Sequence, residues 1–269
     1  MKNFLTIALI IGCAGFNGCG EPAGSNGKHE KAKAKQMIKP AETNSQYSGI
    51  GGMRDFLQCW HNATTEKLQN DKNASAQALK ILRESKLQDQ SVAVVQLETK
   101  LGIQLPLSYR DFLSVGGAVI RYADMLSNEE FEYGFIAPQT VDWFRIRNPM
   151  DTGIWSESSE SPDGMYYVYS SQQDPAYIRS SYVKKMLVVG EMPGGEFYLL
   201  NPLEKTRDNE WETWLLSPHM PGAYRFLSFA ELLGQLFLED TVITTVRPRY
   251  SIENFKGTCA EKLFRKQPA

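Results

Sequence analysis

The sequence predicts an α+β fold, in which N-terminal helices and one C-terminal helix pack on an antiparallel sheet meander. Apolar residues recur at helical spacing between residues 53 and 113, and the strongest stripe of this kind lies at 229–237. The part between them contains short apolar runs, separated by Gly, Pro and Ser, without helical period. Short consecutive runs favour strands that pair with their neighbours in antiparallel fashion.

The composition is that of an ordinary globular protein. The chain has 269 residues, of which 42% are hydrophobic and 22% are charged, and its net charge is −2. This length is enough for a sizeable core. A net charge so close to zero argues against a nucleic-acid partner.

The first residues resemble a bacterial secretion signal. The apolar run at 4–11 is too short to cross a bilayer but fits the hydrophobic region of a signal peptide. It leads to Gly18 and Cys19, which resemble the cleavage site of lipoproteins, where the cysteine is acylated and becomes the first residue. Cys13 is the alternative attachment site, and an ordinary secretory signal or an uncleaved tail is the alternative interpretation.

The lipoprotein interpretation divides the chain into four parts. Residues 1–18 form the signal peptide, and 19–52 form a flexible tether because they contain almost no large apolar side chain. Residues 53–250 form the folded domain, and the basic, polar tail at 251–269 is expected to fray. We therefore expect a protein held by a lipid in the bacterial cell envelope, on the periplasmic face of a membrane.

Three helices are predicted first, at 53–70, 74–85 and 90–101, from apolar residues on one face. Gly102 is placed to end the third helix in the left-handed conformation. Pro106 suits the first position of a fourth helix, where its missing N–H has no partner in any case.

The fourth helix carries the apolar stripe Tyr109, Phe112 and Leu113 and is closed by Gly116 and Gly117. The segment is therefore a helix–elbow–helix whose two apolar faces turn toward one core.

Strands are predicted at 133–137, 165–169, 186–190, 197–201 and 211–216. Gly194 and Gly195 allow the positive φ that a tight hairpin requires. A polar loop with the sequence WSESSESPDG occupies 155–164.

The last helix has the clearest signals. Ser228 and Glu231 match a capping box, and Leu227 can pack on Leu232 as a hydrophobic staple. The apolar stripe runs on through Phe229, Leu232, Leu233, Leu236 and Phe237. Residues 241–250 can add an edge strand that Pro248 ends.

Two cysteines remain in the folded part if the signal is removed. Cys59 and Cys259 either form a disulfide in an oxidising compartment or stay as two buried thiols. Both alternatives stay open because the sequence does not give the distance between the two residues. No metal-ligand or nucleophile motif is present, and a pair of Cys59 with His61 or His219 is disfavoured because a disulfide would consume the thiol. We therefore predict no catalytic residue, no metal and no cofactor.

The polar side chains offer weak candidates for contact with a partner. Glu157, Glu160 and Asp163 lie in the polar loop, where a solvated acidic surface is favoured over a pair of glycosidase carboxylates. Trp211 and Trp214 are three apart, so on a strand one points inward and the other outward. The outward tryptophan is either a binding anchor or a half-covered surface aromatic.

Residues 98–117 resemble the N-terminal motif of the SUKH superfamily, which includes the yeast cell-wall-synthesis regulator and many bacterial toxin-immunity proteins. The residues that carry this resemblance are Glu98, Leu101, Gly102, Leu105, Pro106, Tyr109, Arg110, Phe112, Leu113, Gly116 and Gly117. The sequences VVGEMPGGEFYLLNP and LSFAELLGQL are similar to the central hairpin and closing helix, although Asn201 stands where an aspartate is common.

This resemblance implies a SUKH-like domain that binds another protein, often a toxin, and has no catalytic centre. With the lipid signal, it predicts an immunity protein that neutralises a secreted toxin acting in the envelope. The alternative is a housekeeping envelope lipoprotein that assists wall assembly or that binds or hydrolyses wall carbohydrate through Glu157, Glu160 or Trp214.

Overall fold

The computed structural model of the protein describes residues 35–72, 74–119, 134–157, 160–192, 194–241 and 252–265. The proposed lipid sites Cys13 and Cys19, and residues 242–250 of the predicted edge strand, lie outside these ranges. No described helix combines the length and the apolar character that crossing a bilayer requires.

Before the sheet the described residues form four predicted helices. They are α1 (Ile50–Asn70), α2 (Ala76–Glu84), α3 (Ser91–Leu101) and α4 (Leu107–Ser114). Each lies within a few residues of its predicted bounds, so the apolar spacing identified them correctly.

The elbow between α3 and α4 is built from the residues that the sequence singles out. Gly102 has φ 67°, in the left-handed region, and ends α3 as predicted. The Glu98 carboxylate accepts the Leu105 N–H at 3.0 Å and lies 3.5 Å from Arg110 Nε, so it spans the turn. Pro106, predicted as the first helical residue of α4, is instead its N-cap, and the helix begins one position later at Leu107.

The two glycines after α4 are required by close approach. Gly116 has φ 79°, and a Cβ there would lie 2.5 Å from the carbonyl oxygen of Gln88. A Cβ on Gly117 would lie 2.3 Å from the Phe112 ring. The pair therefore lets the chain leave α4 without moving the buried Phe112.

Within the described ranges, six antiparallel strands form one sheet, which confirms the predicted fold class. The strands are β1 (Gly134–Phe135), β2 (Asp142–Trp143), β3 (Leu187–Met192), β4 (Glu196–Lys205), β5 (Trp211–Ser217) and β6 (Gly222–Phe226). Their order is β1-β3-β4-β5-β6, and β2 also pairs with β3. Gly194 and Gly195 both have positive φ in the β3–β4 turn, as expected, whereas β6 is not among the predicted strands.

Short helices cover one face of the sheet. They are α5 (Phe144–Arg147), α6 (Pro149–Trp155), α7 (Asp163–Tyr166) and α8 (Ser180–Val183). We call the described residues between 144 and 183 the outer layer. The strand predicted at 165–169 is wrong, because the Tyr166 and Tyr169 hydroxyls both bind Glu212, and strand geometry would send side chains three apart to opposite sides.

The other face packs against the long helices. The rings of Tyr109 and Phe112 on α4 lie 4.9 and 5.1 Å from the Phe229 ring. Phe229 begins the last helix, α9 (Phe229–Thr241). This apolar interface between α4, α9 and the sheet belongs to one core that continues into the outer layer.

The start of α9 follows the predicted capping chemistry with one shift. The Ser228 hydroxyl accepts the Glu231 N–H at 3.2 Å, as in a capping box. The Glu231 carboxylate accepts the Leu227 N–H at 2.9 Å, one residue before the cap. Near the end of α9, Asp240 accepts the Trp60 indole N–H at 2.9 Å, which joins α9 to α1.

Both chain ends of the domain are more ordered than predicted. Residues 46–48 lie against residues 263–265: the Ser48 N–H donates to the Leu263 carbonyl and the Arg265 N–H to the Gln46 carbonyl, both at 2.8 Å. The tether prediction is therefore wrong for residues 35–52, and the prediction of a fraying tail is wrong for 252–265. The reason is burial, since Tyr47 and Leu263 both enter the core.

A disulfide joins the C-terminal segment to α1. The sequence allowed Cys59 and Cys259 to be either paired or separate, and the structure shows them bonded. Their Cα atoms are 5.7 Å apart, although the two residues are 200 positions apart in sequence. Cross-linking such distant residues lowers the conformational entropy of the unfolded chain and thereby stabilises the folded state.

A second anchor of the N-terminal segment is a group of buried acids near the start of α4. Glu210 accepts the Ser108 N–H at 2.7 Å, and Asp111 accepts the Tyr47 hydroxyl at 3.1 Å. Burial raises the pKa of Glu210 from 4.5 to about 7; Ser108 opposes this rise, and Asp208 and Asp111 add to it.

The disulfide predicts a large stability difference. Cys59→Ser with Cys259→Ser is expected to lower the free energy of unfolding by about 2–5 kcal/mol, measured by urea denaturation. Non-reducing digestion and mass spectrometry of the wild-type protein should recover the two cysteines in one linked peptide pair. Two alkylated free thiols in the folded, air-oxidised protein would contradict the pairing.

Glu210 predicts that stability falls as pH rises. Between its unfolded pKa of 4.5 and its folded pKa of about 7, the folded state binds more protons, so the unfolding free energy decreases with pH. The unfolding free energy of the wild type is measured at about pH 5 and at about pH 8. Glu210→Gln should make the difference between these two values smaller by up to about 3 kcal/mol. The variant keeps an oxygen for the Ser108 N–H, and an unchanged pH profile would refute the assignment.

Candidate functional site

The outer layer contains all three acids that the sequence predicts as partner contacts, and apolar side chains fasten it to the sheet. Its first helix places the Phe144 ring 4.8 Å from the Phe197 ring of β4. Val183 at its end is fully buried. Both ends of the layer are therefore fastened to the sheet by apolar contacts.

The centre of the layer is held by one buried carboxylate. Glu212 on β5 accepts hydrogen bonds from the hydroxyls of Tyr166 and Tyr169 at 2.5 and 2.6 Å. It also accepts the Asn201 amide at 2.7 Å and the Trp214 indole N–H at 2.8 Å. Burial, followed by the charge of Glu212, raises the pKa of both tyrosines well above the ordinary value, so each stays a donor.

A buried arginine reinforces the same contact. The Arg225 guanidinium on β6 lies 4.4 Å from the Tyr166 ring centre and 5.3 Å from the Tyr169 ring centre. It donates to the carbonyl oxygen of Tyr166 and, at 3.3 Å, to that of Val168. A cation and a carboxylate on neighbouring strands thus hold one short segment of the outer layer.

Arg179 organises the rim of the layer nearer the surface. Its guanidinium donates to the Tyr182 hydroxyl at 2.7 Å and to the Tyr167 hydroxyl at 3.2 Å. Glu204 accepts from the same two hydroxyls at 2.8 and 2.9 Å. The cluster ties residues 160–182 to the end of β4, which makes this rim a shaped surface rather than a loose loop.

Two of the three predicted acids belong to this rim. Asp163 accepts from Arg179 and lies 3.7 Å from Lys39 Nζ. Glu160 accepts the Ser181 N–H at 2.7 Å and the Ser180 hydroxyl at 3.0 Å. Burial opposes ionisation of Glu160, but these hydrogen bonds outweigh it and lower its pKa. Both acids therefore have internal roles in positioning the rim.

Glu157 is placed differently. It is exposed, and its N–H donates to the Ile154 carbonyl in the turn after α6. Glu160 and Asp163 are exposed as well, but Glu157 is the acid that follows directly on α6.

The expectation that one of the two tryptophans faces outward is wrong. Trp211 and Trp214 do point to opposite faces of β5, but they are only 1% and 0% exposed. The reason is that both faces of the sheet are covered, one by the long helices and the other by the outer layer. Neither indole can contact a partner in this fold, and binding of wall carbohydrate through Trp214 is excluded with it.

The exposed apolar side chains of α5 and α6 are missing from the sequence-based candidates. Met150 and Ile154 are 78% and 62% exposed and lie four apart on α6, so they share one face. Ile146 on α5 is 58% exposed. The signal for this face lies in residues 145–155, RIRNPMDTGIW, where Met150 and Ile154 are at helical spacing after Pro149. The lack of a helical period over the wider region hides this short helix.

The remaining chemical candidates do not assemble into a reactive centre. The Cys59 sulfur is in the disulfide and is unavailable as a nucleophile beside His61 or His219. Within the described ranges, no three His, Cys, Asp or Glu side chains come together in a way that could hold a metal ion. A cleft of about 600 Å³ beside β1 contains the Arg147–Glu191 ion pair, whose groups are 2.9 Å apart and already satisfy each other.

Comparison with known proteins places this fold. The model of the SMI1/KNR4 family (SUKH-1) matches residues 91–235, which run from the first residue of α3 into α9 and include the whole sheet. The match begins and ends close to the resemblance noted from the sequence, whereas α1, α2 and the C-terminal segment lie outside it. No curated protein and no solved structure matched the chain.

Proposed function

The chain belongs to the SMI1/KNR4 family (SUKH-1), and we propose that it is an immunity protein whose domain neutralises a secreted bacterial toxin in the cell envelope. The family match is the observation that carries this proposal. The matched residues include every described strand of the sheet and the whole outer layer. The mechanism is occupation of the toxin's surface, with no catalytic step and no cofactor.

The outer layer is the proposed contact surface. Met150 and Ile154 offer exposed apolar side chains on one helix face, which suits the desolvated centre of an interface. Asp151 lies between them in sequence and Glu157 follows in the next turn, so carboxylates border the apolar face. Acids at the border favour a partner with a basic surface and speed its association.

We further propose that the domain is held at the periplasmic face of a membrane by a lipid on Cys19, with Cys13 as the alternative. The Cys59–Cys259 disulfide supports an oxidising compartment, because such bonds persist outside the cytosol. A toxin met there attacks the envelope or is intercepted during its import. Binding to nucleic acid is no part of this function.

The contact surface predicts a specific loss of binding. Met150→Asp with Ile154→Asp should weaken binding of the toxin that the protein neutralises by at least about 30-fold, since buried apolar hot spots contribute 2 kcal/mol or more. Pull-down from secreted effectors of the same strain, followed by titration calorimetry, measures this.

The matched control is Val92→Asp with Val95→Asp on α3, where the side chains are 73% and 54% exposed and lie outside the outer layer. It should bind normally and protect toxin-sensitive cells. If deletion of the gene never sensitises cells to a sister strain, the immunity role is wrong. Binding of the purified domain to peptidoglycan would favour the housekeeping role instead.

The anchor predicts incorporation of a labelled fatty acid. Cys19→Ser should abolish labelling and release the protein from the membrane fraction, whereas Cys13→Ser should leave labelling unchanged. The reverse pattern would move the attachment to Cys13. An unlabelled wild-type protein in the cytosol would refute the proposed location.

A further inference from the structure

The free edge of β6 is closed by a segment that is not a strand. β6 pairs with β5 along one edge, and the N–H groups of alternate residues point to the other. On that second edge, the Ala223 N–H donates to the Pro175 carbonyl at 2.9 Å. The Arg225 N–H donates to the Gln173 side-chain oxygen at 2.7 Å.

Gln173 supplies both groups that a neighbouring strand would offer. Its oxygen accepts the Arg225 N–H, and its amide nitrogen donates to the Arg225 carbonyl at 3.1 Å. The side chain is 5% exposed, so this double contact is protected from water. One glutamine therefore replaces one residue of a paired strand.

The next outward group is covered in the same way. The Leu227 N–H, two residues beyond Arg225, donates to the Glu231 carboxylate at 2.9 Å. Three successive outward donors thus have acceptors from outside the sheet.

Gly222 lets the covering segment approach. A Cβ at Gly222 would lie 2.2 Å from the Pro175 carbonyl oxygen, which is backbone and cannot rotate away. Only glycine at this position permits Pro175 to reach β6. The close packing shows that the cover belongs to the fold of the edge and is not a passing contact.

β6 has little protection of its own. Strands at sheet edges usually carry Lys, Pro or an inward-pointing charge that prevents pairing with another molecule. The sequence GAYRF contains no Lys and no Pro, and its one charged residue, Arg225, points inward but is held by the outer layer, so this protection depends on the same cover. Once uncovered, this edge offers the donors and acceptors that an antiparallel copy of itself needs, and a two-fold axis makes the pairing self-complementary.

We propose that residues 173–175 guard the β6 edge, and that β6 pairs antiparallel with β6 of a second copy of this chain when the guard is removed. The guard keeps the domains apart where anchored copies would be concentrated. This inference depends on the geometry of β6 and not on the identity of the toxin.

Two substitutions open the edge by different routes. Gln173→Ala removes the amide, and Gly222→Ala pushes Pro175 away while leaving Gln173 in place. The control for the first variant is Gln172→Ala, because in the described ranges the Gln172 side-chain oxygen accepts only the exposed Gln36 N–H. The control for the second is Gly164→Ala, because a Cβ at Gly164 would meet open space. Light scattering after size exclusion should show the mass of both opened variants doubling with concentration, while the wild type and both controls do not change.

Hydrogen exchange at Arg225 identifies the edge that pairs. Its amide should exchange faster than in the wild type at low concentration of the opened variants and become protected again in the dimer. Folded variants that keep the wild-type mass, or dimers with freely exchanging β6 amides, would overturn the proposal. If neither variant folds by circular dichroism, residues 173–175 are a requirement of folding and the guard proposal is equally overturned.

Discussion

The carboxyl group of Glu212, buried on the interior strand β5, is the group on which the arrangement of the molecule depends. Burying a carboxyl group without partners costs several kcal/mol. Two of its donors, Asn201 and Trp214, come from the sheet, but Tyr166 and Tyr169 come from the outer layer. The sheet and the outer layer therefore satisfy each other's polar groups only when they are assembled together, and Asn201 contributes a donor that an aspartate at this position would lack.

The chain ends obey a related constraint. Residues 46–48 and 255–263 bury part of the apolar surface of α1 and α9. Both of these segments lie outside the residues that match the SUKH-1 family. Each end is held by the other through backbone hydrogen bonds and, on α1, by the disulfide.

These two constraints leave a rigid module with a clear division of its surface. The outer layer is held from beneath by Glu212 and Arg225, and its apolar side chains on α6 therefore project from a fixed base. The binding function proposed for this surface requires such a preorganised display. The same layer also covers the edge of β6 through Gln173, so the proposed contact surface and the proposed guard belong to one segment.

Local sequence determined the helices, the glycine-dependent elbow, the β3–β4 hairpin and the cap of α9, because those depend on spacing and on backbone preference within a few residues. It also contained the family resemblance. Only the tertiary structure decided that Trp211 and Trp214 are buried, that residues 35–52 and 252–265 are ordered, and that Cys59 meets Cys259. Each of those outcomes depends on what covers a surface from a distant part of the chain, and no local pattern encodes the identity of that cover.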